Sequence, residues 1–116
     1  MLNRLLDWDG DRERDMSELE VTVARVYLHE AGAHMEEFLE YLHDVSKVRG
    51  VTVFRGITGF GRSGKFHSST LIDMSLDLPV VIEFYDVPEK VAAIIEQLNT
   101  KVKPGHIVYW SAKINE

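Results

Sequence analysis

The hydrophobic period of this chain changes in the same order twice, from strand to helix to strand, with a long glycine-rich connection between the two runs. In the first run Val26 and Leu28 alternate with Arg25, Tyr27 and His29, the period of a strand over about 21–29. Met35, Phe38, Leu39, Leu42 and Val45 then recur at three- and four-residue spacing, which predicts an amphipathic helix over 34–48 with Gly50 as its stop. Val51, Val53 and Phe54 open a β-rich stretch to Ile57. In the second run 79–85 is dense in β-formers, and Asp86, Pro88 and Glu89 supply a capping aspartate, a first-turn proline and a glutamate able to reach back. Val91, Ile94, Ile95 and Leu98 give that helix a buried stripe, and 107–114 reads as a last strand. Two such units predict an α+β fold, a ferredoxin-like split βαβ sandwich (βαββαβ) with both helices on one face of a four-stranded antiparallel sheet. The other face would carry Tyr27, Tyr85 and either Tyr109 or Trp110, enough aromatic surface to favour self-association.

A chain of 116 residues with 45% hydrophobic content can bury one modest core, so a single domain over 19–116 is expected. Charge is uneven. Residues 1–20 hold the acids Asp7, Asp9, Asp11, Glu13, Asp15, Glu18 and Glu20 against Arg4, Arg12 and Arg14, a balance of −4 within a net charge of −6. Segment 1–18 is expected to be a solvated acidic extension, and the nearly neutral remainder lacks the basic face that nucleic acid demands. The chain contains no cysteine, which excludes disulfides and thiolate metal sites and suits a reducing cytoplasm. The apolar start is too short for a signal peptide or a membrane span, so a soluble, intracellular protein is expected.

The connection, about 58–78, concentrates candidate chemistry. Segment 56–70 holds Gly56, Gly59, Gly61 and Gly64, half of the chain's eight glycines, together with Arg62, Lys65 and His67. Connections of this length are working loops or disorder, and Phe60, Phe66 and the apolar run 71–78 argue against disorder. Glycines let backbone N–H groups converge on a phosphate, Arg62 and Lys65 add charge, and Arg55 can offer paired donors. His67 and His106 could contact phosphate or report pH. Ile72, Met74, Leu76 and Leu78 alternate, so the far arm is expected to form a further strand before Pro79.

Several short patterns do not survive their structural requirements. Gly59 to Gly64 fits a dinucleotide fingerprint and Gly59 to Lys65 nearly fits a P-loop, but the residues that follow are β-rich and both motifs must open a helix. Phe66 also stands where a P-loop needs a magnesium-binding hydroxyl. The spacing of His29, Glu30 and His34 is one residue too long for a zinc-protease helix, and Gly32 interrupts it. Asp7, Asp9, Asp11 and Glu18 fit a calcium loop except that Arg12 replaces its glycine. Glu36, Glu37, Glu40, His43 and Asp44 form a solvated helix face. No nucleophile, base and orienting partner can be assembled, so neither catalytic nor metal-ligating residues are assigned.

The stretch Arg25-Val-Tyr-Leu-His-Glu, the run from Gly50 through Arg55-Gly56 to Gly59-Phe60-Gly61, His67-Ser-Ser, and Asp77-Leu-Pro-Val-Val-Ile-Glu resemble the bacterial and archaeal PII-like proteins catalogued as domain of unknown function 190. The resemblance covers about 19–114. It implies a homotrimer, an adenine nucleotide (ATP, ADP or AMP) held in clefts between subunits, and a mobile loop after the second strand that meets a partner. The matching positions are 55–61 at the loop base and 101–106 before the last strand. The latter has a single glycine and two lysines where PII proteins have a glycine-rich basic stretch.

The expected function is therefore a non-enzymatic regulator. Arg55, Lys101 and Lys103 would be fixed charges, Gly56, Gly59 and Gly61 a backbone cradle, Gly105 and His106 part of the turn, and Arg62, Lys65 and His67 mobile contacts. Two alternatives stay open: a ligand-independent interaction module for a membrane transporter or channel, and a small-molecule hydrolase or transferase using His67 or His106 as base.

Overall fold

The structure, a computed structural model, describes residues 18–29, 35–61, 64, 66–68 (backbone only) and 78–116. Strands β1 (Glu18–His29), β2 (Gly50–Arg55), β5 (Pro79–Asp86) and β6 (Ile107–Asn115) form one sheet in the order β2-β5-β1-β6, and every neighbouring pair is antiparallel. β5 thus lies between β1 and β2, the split βαβ arrangement, and the expected ferredoxin-like α+β fold is the one observed. Two short strands, β3 (Thr58–Phe60) and β4 (Phe66–Ser68), make a separate hairpin inside the long connection, in the part expected to be loop ahead of the further strand at Ile72. The further strand expected from Ile72 to Leu78 falls on residues that, Leu78 excepted, lie outside those described, as does segment 1–17 of the acidic extension.

The core forms on one sheet face because β5 alternates strictly. Val80, Ile82, Phe84 and Asp86 are buried, while Pro79, Val81, Glu83 and Tyr85 are half-buried on the other side. Phe84 faces Ala24 on β1 and Val51 on β2, and Ile82 faces Val26 and Val53. Helix α2 (Pro88–Leu98) lays Val91, Ile94, Ile95 and Leu98 on this layer, and Leu42 from the first helical segment joins the same cluster.

Both helix boundaries depart from expectation. Asp86 does not cap α2. Val87, in extended conformation, occupies the cap position and makes no side-chain cap bond. The Asp86 carboxylate instead turns inward, 4% exposed, and accepts the backbone N–H of Val87 at 2.7 Å and of Arg49 at 3.0 Å. Lys90 at 3.4 Å and Arg49 at 3.7 Å complete the arrangement. A buried acceptor that ties two chain segments together outcompetes a solvent-facing cap.

The first helix, α1 (Met35–Glu40), continues into a π turn over Tyr41–Val45, where the Ser46 N–H donates to the Tyr41 carbonyl at 2.9 Å. A π turn holds more residues than an α turn, so it rotates the stripe. Leu42 remains fully buried, whereas Val45, expected in the core, is 71% exposed. The helix is stopped by Lys47 at φ 52°, not by Gly50. Gly50 starts β2 beneath the Tyr85 ring, where an added Cβ would stand 2.5 Å from Cε1. Lys47 occupies a conformation that glycine adopts without steric cost, and Lys47→Gly is expected to raise stability by about 0.5–1 kcal/mol. Urea unfolding at fixed protein concentration reads this, and a loss of stability would contradict the account of the helix stop.

Candidate functional site

The expected ligand residues fall in two places. The first is the neck of the connection. Arg55 is the last residue of β2, and the N–H of Gly56 donates to the Pro79 carbonyl at 2.7 Å, closing the neck where β5 begins. A Cβ on Gly56 would lie 2.8 Å from Pro79 Cγ, so close packing against that ring supplies a reason for glycine here besides any ligand cradle. Beyond the neck, Thr58 pairs with Ser68, Gly59 with His67 and Phe60 with Phe66. The intervening turn needs Gly64 at φ 76°, and its N–H donates to the Gly61 carbonyl at 2.9 Å. A Cβ on Gly61 would meet open space, consistent with a backbone open to approach. His67 is placed by its backbone alone, and Arg62 and Lys65 lie outside the described residues.

The second place is the turn between α2 and β6. The N–H groups of Lys101 and Val102 both donate to the Leu98 carbonyl at 2.8 Å, ending the helix, and Val102 packs against the core. Pro104 and Gly105, the latter at φ 89°, then form a tight turn closed by the His106 N–H on the Lys103 carbonyl at 3.3 Å. A proline followed by a residue at positive φ is the pattern of a type II turn. Lys101 and Lys103 are exposed. Their position past the last turn of α2 also suits the partial negative charge of a helix C-terminus. His106 is fixed to β1 through backbone and side chain: its carbonyl accepts the Tyr27 N–H at 2.8 Å, and its Nδ1 lies 2.8 Å from the Tyr27 carbonyl.

Both places lie at the same end of the sheet. Arg55 pairs with Val80, Val80 pairs with Leu28, and Tyr27 holds His106. They occupy opposite edges, however, the neck on β2 and the turn ahead of β6. Three strand spacings separate those edges, about 14 Å. One subunit does not bring Arg55 together with Lys101 and Lys103.

Between them lies the face that the helices leave uncovered. Register assigns it Trp110, opposite Val23, and puts Tyr109 opposite Ala24 on the helix side, which resolves the expected choice between the two. Its centre is Arg25, a residue to which the sequence reading gave no role. The Arg25 Nε donates to Glu83 Oε1 at 2.7 Å, and the guanidinium stands 5.8 Å from the Phe54 ring centre and 5.7 Å from that of Trp110. The Glu83 carboxylate first, and then the Tyr27 hydroxyl, hold the Arg25 guanidinium above its ordinary range. The missed signal was period-two placement of Arg25 with Tyr27, opposite Glu83 and flanked by aromatics. Tyr27, Phe54 and Trp110 are each 39–46% exposed, an aromatic surface organised around one cation.

Among the described residues no group of three or more His, Asp or Glu side chains could hold a metal ion, and no helix is long and apolar enough to cross a membrane.

Comparison with known proteins gives concordant results. Residues 17–114 match the DUF190 family, described as an uncharacterized ACR. A UPF0166 protein of Aquifex aeolicus is 31% identical over 83 residues, covering 72% of this chain and 85% of the relative. Among solved structures, CPII from Thiomonas intermedia K12, a nitrogen regulatory PII-like protein bound to ADP, AMP and bicarbonate, superposes with a TM-score of 0.66 at 18% identity, covering 86% of this chain and 92% of CPII. A further CPII structure, bound to ADP and bicarbonate, gives 0.64 at 19% identity over 86% of this chain and 93% of CPII.

Proposed function

The chain belongs to the DUF190 family and has a PII-like fold, and from that premise we propose that it is a non-enzymatic, cytoplasmic regulator. In this reading it forms a homotrimer, binds an adenine nucleotide such as ADP or AMP in clefts between subunits, and signals through the 59–70 loop. What supports an inter-subunit site is the separation of the two candidate surfaces: the Arg55 neck and the Lys101–His106 turn share one end of the sheet but stand on opposite edges. Neighbouring subunits arranged head to tail around a three-fold axis would set the neck of one against the turn of the next. The exposed aromatic face around Arg25 supplies apolar surface for such an assembly. Arg55, Lys101 and Lys103 act as fixed charges, Gly61 leaves the backbone open to approach with Gly59 beside it in the hairpin, and Arg62, Lys65 and His67 close over the ligand from the loop.

Ligand binding would change the loop's population between two states, since a ligand shifts an equilibrium only through different affinities for them. The partner that reads the loop is proposed to be a protein, with a membrane transporter or channel as the kind suggested by PII analogy. Thermal unfolding at fixed protein concentration tests the ligand, after sedimentation has given the assembly mass. ADP or AMP should raise the melting temperature of a trimer in proportion to the logarithm of its concentration, with bicarbonate tested alone and in combination. A stable trimer that responds to none of them would favour the ligand-independent interaction module, and a monomer would remove the shared cleft.

A further inference from the structure

We propose that His106, locked in one tautomer by the Tyr27 carbonyl, makes anion binding at the Lys101–His106 turn depend on protonation, tightening it as pH falls. This rests on the proposed ligand site and adds a form of regulation to it.

A carbonyl oxygen can only accept a hydrogen bond, so at 2.8 Å from Tyr27 O the His106 Nδ1 must carry the proton. In the neutral ring this leaves Nε2 with a lone pair, and among the described residues Nε2 has no partner. An anionic oxygen approaching Nε2 would meet a second acceptor and gain nothing. Protonation converts the same atom into a charged donor without moving the ring, because Nδ1 keeps its bond to Tyr27 in both forms. The backbone around it is equally fixed, through the His106 N–H on Lys103, the His106 carbonyl on Tyr27 and the positive φ of Gly105. The site is thus a rigid turn in which a single proton changes what the imidazole can bind.

Among the described residues, the charged and titratable groups nearest His106 along the chain and in register are Lys101 and Lys103 in its own turn and, on β1, Tyr27, whose backbone it holds, with Arg25 and His29 two positions to either side. Imidazole is the side chain whose charge ordinarily changes between about pH 5 and pH 8. His29 is the competing imidazole, and if the response belongs to His106, changing His29 leaves most of it in place. The sign follows directly: an anion stabilises the protonated ring, so binding takes up a proton and affinity falls as pH rises.

The test measures calorimetric affinity for ADP and for inorganic pyrophosphate at about pH 6 and about pH 8. Three proteins are compared: the full chain, His106→Asn and His29→Asn. Asparagine can still donate to the Tyr27 carbonyl but does not titrate. Taken relative to His106→Asn at the same pH, which removes the ionisation of the phosphate itself, the unmodified chain and His29→Asn should bind about tenfold more tightly at the lower pH, the low end of the gain from one charge-assisted hydrogen bond. His106→Asn should bind weakly, with any remaining pH effect being that of the phosphate itself. Should His106→Asn fail to fold, long-range 1H–15N correlation of the unmodified protein at about pH 8 reads the tautomer directly, and a proton on Nε2 would overturn the proposal. A full pH response in His106→Asn would overturn it too while leaving nucleotide binding intact. Pyrophosphate binding gated by His106 without any binding of ADP would keep the gate and remove the nucleotide. Binding of neither anion would remove both.

Discussion

Asp86→Ala is expected to destabilise the fold by about 2–4 kcal/mol. Asp86 is the one charged residue buried within the described part of the chain, and its two oxygens separately accept the N–H groups of Arg49 and Val87. Alanine would leave both part-buried donors without this acceptor, and each loss costs about 1–2 kcal/mol, the lower part of the range for an unsatisfied group. The nearby cations contribute less to this loss. Arg49 and Lys90 have side chains 44% and 37% exposed, so both can return to water. Asp86→Asn keeps one acceptor and should cost about half as much. Urea unfolding at constant protein concentration gives the values. A loss under about 1 kcal/mol for the alanine variant would mean that water replaces the carboxylate, and the proposed tie between the α1–β2 turn and the start of α2 would be wrong. Asp86 lies at the end of β5 remote from Pro79 and the neck, so folded Asp86→Asn should keep its affinity for ADP.

Replacing Lys101 and Lys103 together with alanine is expected to weaken ADP binding at least tenfold, about 1.4 kcal/mol. Both lysines stand exposed on a turn whose backbone is already fixed by Leu98, Lys103 and Tyr27, so a polyphosphate can recruit them without reordering the chain. Surface cations of this kind contribute little to folding, and the variant should unfold close to the unmodified protein. The contrast with Asp86 is the informative part: one change costs stability at one end of the sheet, the other costs affinity at the opposite end. Unchanged ADP affinity in the double variant would take the turn out of the site.

How much of this could be read in the sequence depended on how local the signal was. Helix α2 was legible because Val91, Ile94, Ile95 and Leu98 repeat on one face, and β5 because 79–85 is dense in β-formers, although the strict alternation of its buried side shows only in the structure. The end of the first helix was not. The π turn at Tyr41–Val45 carries Val45 out of the stripe, and no simple period anticipates one extra residue in a turn. Asp86 looked like a cap because capping is a local pattern, whereas its actual bond to Arg49 spans 37 residues of sequence. The same distinction governs the site. Gly105 and the lysines of the turn are legible in place, but Arg25 gains its setting only when Glu83, Phe54 and Trp110 arrive from three other strands. Gly56, read from sequence as a ligand cradle, proved also to be packed against Pro79, which only the close approach of β2 and β5 reveals.

A subunit-mixing experiment tests the central claim, that each ligand cleft takes its neck from one subunit and its turn from the next. Arg55→Ala chains and Lys101→Ala/Lys103→Ala chains are purified separately, each binding ADP poorly, and then co-assembled in equal amounts with the trimer mass verified. A cleft shared between neighbours predicts that about one site in four pairs an intact neck with an intact turn and recovers the unmodified affinity. If the mixed trimers bind ADP no better than their parents, the two surfaces do not meet across the subunit boundary and the proposed site is wrong.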